Sequence, residues 1–140
     1  MSGAGQKAIV RRWVAAWNAQ DLDAAEALLT PGYVRHDANV PDIVGPAAER
    51  QFIAGVLGAF PDLRLEIEQL VAEGDLVLGR YTIRGTQRGP FAGVPPTGRA
   101  VTFQAMESYR FEGERLAEQW VVMDTLGLLQ QLGALPRPGG

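Results

Sequence analysis

The 140-residue chain contains no cysteine. Disulfides, thiolate metal sites and cysteine nucleophiles are therefore excluded, and the absence fits a cytoplasmic protein. Histidine occurs once, as His36. No second histidine lies at ligand spacing and the carboxylates are scattered, so no metal site is expected. No apolar run approaches the roughly 18 residues of a membrane span. Basic residues are outnumbered, 13 Lys and Arg against 16 Asp and Glu, for a formal net charge of −3. Such a chain has no basic surplus to attract nucleic acid or anionic lipid. The opening MSGAGQK is too short and polar for a signal peptide. There is no internal repeat, and the low-complexity tail Pro136–Gly140 is expected to fray.

What remains is an ordinary globular composition, 46% hydrophobic and 21% charged. The length suits one domain with a sizeable core. A single domain over residues 1–140 is expected, with an ordered core of about residues 7–135.

Three helices are predicted first. In Lys7–Ala19 the stripe Ile9, Val10, Trp13, Val14, Trp17 recurs at spacings of three and four, with Arg11 and Arg12 off it. Leu22–Leu29 follows, capped by Asp21 or Asp23 and stopped by Thr30-Pro31-Gly32. Tyr33–Asp37 is a short extended piece and Asn39–Gly45 a loop. Pro46 opens the third helix as a first-turn proline, with Phe52, Ile53, Val56, Leu57 and Phe60 as its apolar stripe. Pro61 ends it, because the residue before a proline is pushed out of helical geometry.

The period then changes to two. Leu63, Leu65 and Ile67 alternate with Arg64, Glu66 and Glu68, and Gly74-Asp75 turns the chain into Leu76–Thr86. The Gly- and Pro-rich Arg88–Arg99 is a loop, with Pro95-Pro96-Thr97-Gly98 as a rigid turn. Ala100–Phe111 and Arg115–Met123 form a second hairpin about Glu112-Gly113. Helices followed by consecutive antiparallel strands indicate an α+β fold. The expected architecture is a strongly curved, mainly antiparallel sheet wrapped around three N-terminal helices, a cone with an internal pocket. In the third long strand Thr102, Gln104, Met106 and Ser108 share one face, and Phe103, Ala105, Glu107, Tyr109 and Phe111 the other; the turn leaves open which face is inward.

The stretch Leu116–Gly133 joins a strand to a short helix, with Asp124 at the junction. A carboxylate straight after Trp120-Val121-Val122-Met123 either caps the helix or works in a cavity, and the residues alone leave both open.

Four stretches carry a resemblance: AAWNAQDLDAAEALLTPGYVRHD, GAFPDLRLEIEQLVAEGDLV, RGTQRGPFAGVPPTGR and YRFEGERLAEQWVVMDTLGLLQQLG. Together they resemble the SnoaL-like polyketide cyclases of the nuclear-transport-factor-2-like (cystatin-like α+β) superfamily, over about Ala8 to Leu135. The resemblance implies ring closure by intramolecular aldol chemistry, or a related lyase or isomerase reaction, with no metal or cofactor, and a homodimer. Asp124 matches the general acid/base at the end of the last long strand, and His36 the histidine of a YxxH motif. Many relatives have GTH where this chain has Gly85-Thr86-Gln87, and a glutamine cannot exchange a proton near neutral pH.

Aldol closure begins with loss of a proton α to a carbonyl, to a base whose pKa is raised toward the working pH. Burial of Asp124 among Trp120, Val122 and helix leucines would supply that shift. The enolate needs donors, and His36, Tyr33, Gln87, Gln104 and Arg80 are the candidates. Trp120, beside Asp124, and Trp17, on a roofing helix, are the expected apolar contacts. The expected ligand is a small apolar or aromatic carbonyl compound. Two other functions compete. One is an epoxide- or water-activating hydrolase, whose second acid would come from Glu118, Glu107 or Asp37. The other is a non-catalytic ligand-binding or dimerisation module.

Overall fold

A computed structural model describes residues 1–138; Gly139 and Gly140, the end of the tail expected to fray, lie outside the described residues. The elements are helices α1 (Gly3–Ala19) and α2 (Leu22–Ala27), strands β1 (Leu29–Asp37) and β2 (Val40–Val44), helix α3 (Pro46–Ala59), strands β3 (Arg64–Glu73), β4 (Leu76–Thr86), β5 (Ala100–Glu112) and β6 (Arg115–Met123), and helix α4 (Thr125–Gln131). The strands form one curved, open sheet in the order β2-β1-β6-β5-β4-β3. All pairings are antiparallel except β1 with β6, which is parallel. The expected α+β cone is what forms.

Three local expectations are corrected. Helix α1 starts at Gly3 rather than Lys7, because the Ser2 hydroxyl accepts from the Gly5 N–H at 3.0 Å and caps it. Thr30-Pro31-Gly32 is not a loop that stops α2; it lies inside β1. Asn39–Gly45 holds β2, which carries Pro41. Proline is tolerated there because β2 is an edge strand, where a missing N–H breaks no inner ladder.

Alternation decides which side chains fill the cone. In β5, Val101, Phe103, Ala105, Glu107, Tyr109 and Phe111 are buried, while Thr102, Gln104 and Met106 are exposed. Val77, Tyr81 and Ile83 of β4 and Gln119 and Val121 of β6 join that inner face. The helices supply Ile9, Val10, Trp13, Trp17, Ile53 and Phe60 to the same core. Trp13 packs edge-on to Trp17 and tilted against Tyr33, each at 6.5 Å between ring centroids. The convex face keeps an exposed apolar row that includes Leu78, Met106, Trp120 and Val122.

Helix α1 lies over β3 and β4, and α3 over α2 and β1. Asn18 stitches α1 to β3 through both groups of its amide, donating to the Leu65 carbonyl at 3.0 Å and accepting from the Leu65 N–H at 2.8 Å. Gly79 makes room for a buried ring. A Cβ added there would fall 2.5 Å from Tyr81 Oη and 2.7 Å from its Cζ. That hydroxyl shares a buried 2.8 Å hydrogen bond with the Tyr109 hydroxyl. Gly79→Ala must push the Tyr81 ring aside and disturb this bond. The expected loss is about 1–3 kcal/mol, seen as a lower urea midpoint with an unchanged slope.

Candidate active site

The cone encloses a cavity of about 270 Å³, close to the lower end of the usual range for ligand sites. Trp13 and Trp17 reach it from α1, and Phe52, Val56 and Phe60 from α3. Leu65, Ile83, Phe103 and Val121 come from the sheet. Exposed Val40 and Ala92 mark its mouth, in the β2 hairpin and the 88–99 loop. Into this apolar space come three charged side chains, Arg35, Asp37 and Glu107.

They are anchored in a buried polar cluster drawn from four elements. Arg35 Nη1 donates to Glu49 Oε1 at 3.1 Å and to Gln119 Oε1 at 3.4 Å. The Tyr33 hydroxyl donates to the same Gln119 oxygen at 2.8 Å, and Gln119 Nε2 donates to Glu107 Oε1 at 2.6 Å. Arg35 Nε lies 4.0 Å from Asp37 Oδ2, and the guanidinium sits over the Phe52 ring at 4.5 Å. Arg35 Nε and Glu49 Oε2 are buried without a hydrogen-bond partner. One fixed cation thus faces three carboxyl groups away from water.

Burial raises the pKa of Glu107, opposed by Arg35 and by the Gln119 hydrogen bond. Burial raises Glu49 in the same way, again opposed by Arg35. Burial works to lower the pKa of Arg35, but the carboxylates led by Glu49 outweigh it and the guanidinium stays charged. Burial also pushes Tyr33, Tyr81 and Tyr109 upward, so all three keep their protons.

Of the catalytic and substrate-binding residues expected for ring closure, Trp17 alone lines the cavity among the described residues; of the second acids expected for a hydrolase, Glu107 and Asp37 line it and Glu118 does not. Tyr33 lies beside the cavity, fully buried, and acts through Gln119. Asp124 is exposed, and its Oδ1 accepts from the Gly127 N–H at 2.9 Å as the N-cap of α4. Met123 and Thr125 on either side of it line the cavity and Asp124 does not. The desolvated acid expected at Asp124 is therefore not there; desolvation acts on Glu107 and Glu49 instead. His36 lies on the outer face, stacked on Trp120 at 5.5 Å, with Nε2 2.6 Å from Glu118 and Nδ1 3.0 Å from Asp42. Its pKa is raised, first by the Glu118 hydrogen bond. Trp120 and Gln104 are exposed on that outer face and do not line the cavity. Gln87 is fully buried but serves the 88–99 loop: Nε2 donates to the Val94 carbonyl, and Oε1 accepts from the Thr97 N–H and hydroxyl.

Arg35, Glu49 and Gln119 are the site residues that sequence reasoning missed. Each had a signal. Arg35 shares strand parity with Tyr33, and Glu49 precedes Phe52, Ile53 and Val56 by three, four and seven residues, on the buried stripe of α3. Among the described residues no group of three or more His, Cys, Asp or Glu side chains is placed to hold a metal ion.

The raised Glu107 pKa carries a stability cost of defined sign. The folded protein holds this proton more tightly than the unfolded chain, where the ordinary value is 4.5. Stability therefore falls as pH rises from about 4.5 through the folded value, then levels off. Glu107→Gln removes this dependence. The variant should melt higher than wild type at neutral pH and lose that advantage below about pH 4.5, as followed by thermal denaturation across a pH series.

Comparison with known proteins gives a consistent result. No curated protein matches the chain. Among solved structures, AclR of Streptomyces galilaeus, named a candidate hydroxylase, is 38% identical over 97% of this chain and 85% of its own, with a TM-score of 0.86. TsrD of Streptomyces laurentii is 32% identical over 96% and 99%, with a TM-score of 0.87. IdmH of Streptomyces antibioticus, named a candidate polyketide cyclase, is 27% identical over 91% and 98%, with a TM-score of 0.80. The family model for SnoaL-like polyketide cyclases matches residues 7–132, nearly the whole chain, and the protein belongs to that family.

Proposed function

We propose that this protein catalyses cofactor-independent ring closure, or a related isomerisation or lyase step, on a mainly apolar carbonyl compound held in the cavity, with Glu107 as the group that takes and returns the proton. The observation that carries this reading is a buried carboxyl group beside a guanidinium at the wall of an apolar cavity. Membership of the cyclase family supports the general class of reaction.

The chemistry follows from the groups present. Ionised Glu107 removes a proton α to the substrate carbonyl, and the electron pair moves onto the carbonyl oxygen. Arg35 stabilises the resulting enolate; its buried Nε has no protein partner to give up. The enolate carbon attacks a second carbonyl of the same molecule, forming the new carbon–carbon bond. The alkoxide then recovers the proton from Glu107. Nothing is oxidised or reduced. Apolar walls raise the basicity of Glu107 and strengthen the Arg35 interaction, since both act away from water.

A second reading rests on a specific feature of the site. Asp37 and Glu107 both line the cavity together with Arg35. Two acids and a guanidinium could activate water and add it to an epoxide or carbonyl. Incorporation of label from H₂¹⁸O into product separates this from ring closure, which adds no oxygen.

The bicyclic ketone 2-tetralone serves as a probe of the first step, through exchange of its α-protons in D₂O followed by NMR. Wild-type protein should catalyse the exchange, and Glu107→Gln should lose about 10²–10⁴-fold. Asp124→Asn should keep both rate and fold, since asparagine is also a good N-cap. Wild-type protein that binds 2-tetralone without exchanging its protons overturns the proposal. So does an Asp124→Asn protein that loses exchange while Glu107→Gln retains it.

A further inference from the structure

Gln119 is wholly buried, yet it is the only side chain that donates a hydrogen bond to Glu107 among the described residues. Its amide could sit either way round in an isolated site. Here it cannot. Arg35 carries donors only, and Nη1 points at the Gln119 oxygen from 3.4 Å. A flipped amide would set its NH₂ against the guanidinium. The Tyr33 hydroxyl, donating to the same oxygen from 2.8 Å, polarises the amide and strengthens what its N–H groups donate. Arg35 thereby turns the amide N–H groups toward Glu107, and Nε2 takes Oε1 at 2.6 Å.

The other Glu107 oxygen makes no protein hydrogen bond among the described residues. Nor is it one of the buried atoms left without a partner, which are Gln6 Oε1, Arg35 Nε and Glu49 Oε2. Since Glu107 lines the cavity, that oxygen is the one open to it.

We propose that Gln119 is a positioning residue: oriented by Arg35 and polarised by Tyr33, its amide clamps one oxygen of Glu107 and leaves the other facing the ligand. The effect on chemistry rests on the reading of Glu107 as the proton-handling group. The clamp does two things. It fixes the direction from which a proton is taken, and it favours the ionised form, because a donor to a carboxylate stabilises the charge. Without it, burial would hold the Glu107 proton more tightly and leave less free base. The other charged or titratable groups around Glu107 are Arg35 and Asp37 of β1, Glu49 of α3, Tyr81 of β4 and Tyr109 of β5. None of them donates a hydrogen bond to it.

The test uses the full chain with ¹³C-labelled glutamate, so that the Glu107 carboxyl is titrated directly by NMR, beside the pH profile of 2-tetralone exchange. Gln119→Met keeps the volume and removes the donor. The Glu107 midpoint should rise by about one unit, and exchange on the acid limb should fall about tenfold at fixed pH. KM should change little. Tyr33→Phe keeps the ring and removes the hydroxyl that polarises the amide, so it should shift the midpoint the same way by less. If Gln119→Met does not fold, Tyr33→Phe decides by the same readout. An unmoved Glu107 midpoint in the folded variant overturns the proposal. A midpoint that rises while the exchange profile stays put leaves the clamp standing and removes Glu107 from the reaction.

Discussion

The structure depends on keeping one guanidinium inside an apolar cone. Taking Arg35 out of water costs several kcal/mol unless opposite charge and hydrogen bonds replace its hydration. Glu49, Asp37, Gln119 and the face of Phe52 provide that replacement. Glu107 then completes a group in which acids outnumber the cation three to one. Such a cluster is a poor way to gain stability, since apolar side chains of similar volume would serve as well or better. Its value lies in holding a carboxyl group whose proton is neither bound as loosely as in water nor locked away from the cavity.

The cavity walls and the polar cluster are two results of one pattern. On β5 the buried face runs Val101, Phe103, Ala105, Glu107, Tyr109, Phe111. Phe103 and Ala105 line the hollow, and the single acid on that face is delivered to it. On β1 the same alternation sends Tyr33, Arg35 and Asp37 inward. The outer face of the sheet holds a separate arrangement, in which His36 bridges Asp42 of β2 and Glu118 of β6. Its geometry is that of a clamp across three strands, not of a group facing a ligand.

Much of the architecture was legible. Periodicity placed α1, α3 and the four long strands, and the turns at Gly74-Asp75 and Glu112-Gly113 fell where expected. What it could not show was β2, a short edge strand with a proline, or the parallel pairing of β1 with β6, since pairing partners leave no mark on either strand alone. The site was less legible for a reason of parity. Successive strand residues point to opposite faces, so residues three apart cannot share one. With Tyr33 inward, His36 must face outward; with Glu107 inward, Gln104 must face outward. Asp124 lies just past β6 and caps α4, and its neighbours Met123 and Thr125 line the cavity in its place. The motif drew attention to a segment whose Met123 and Thr125 line the cavity, while the buried acids Glu107 and Asp37 lie on other strands.

The β1–β6 pairing sets residues 29–37 against residues 116–121, opposite ends of the chain. Contacts of such long sequence separation must overcome a large loop-closure entropy, and folds built on them assemble slowly. Arg35 and its partners Glu49, Glu107 and Gln119 are scattered over the same span. These groups leave water together only where β1, α3, β5 and β6 meet. The buried cluster at the cavity wall is thus a property of the assembled sheet, which no single hairpin or helix of the chain holds by itself.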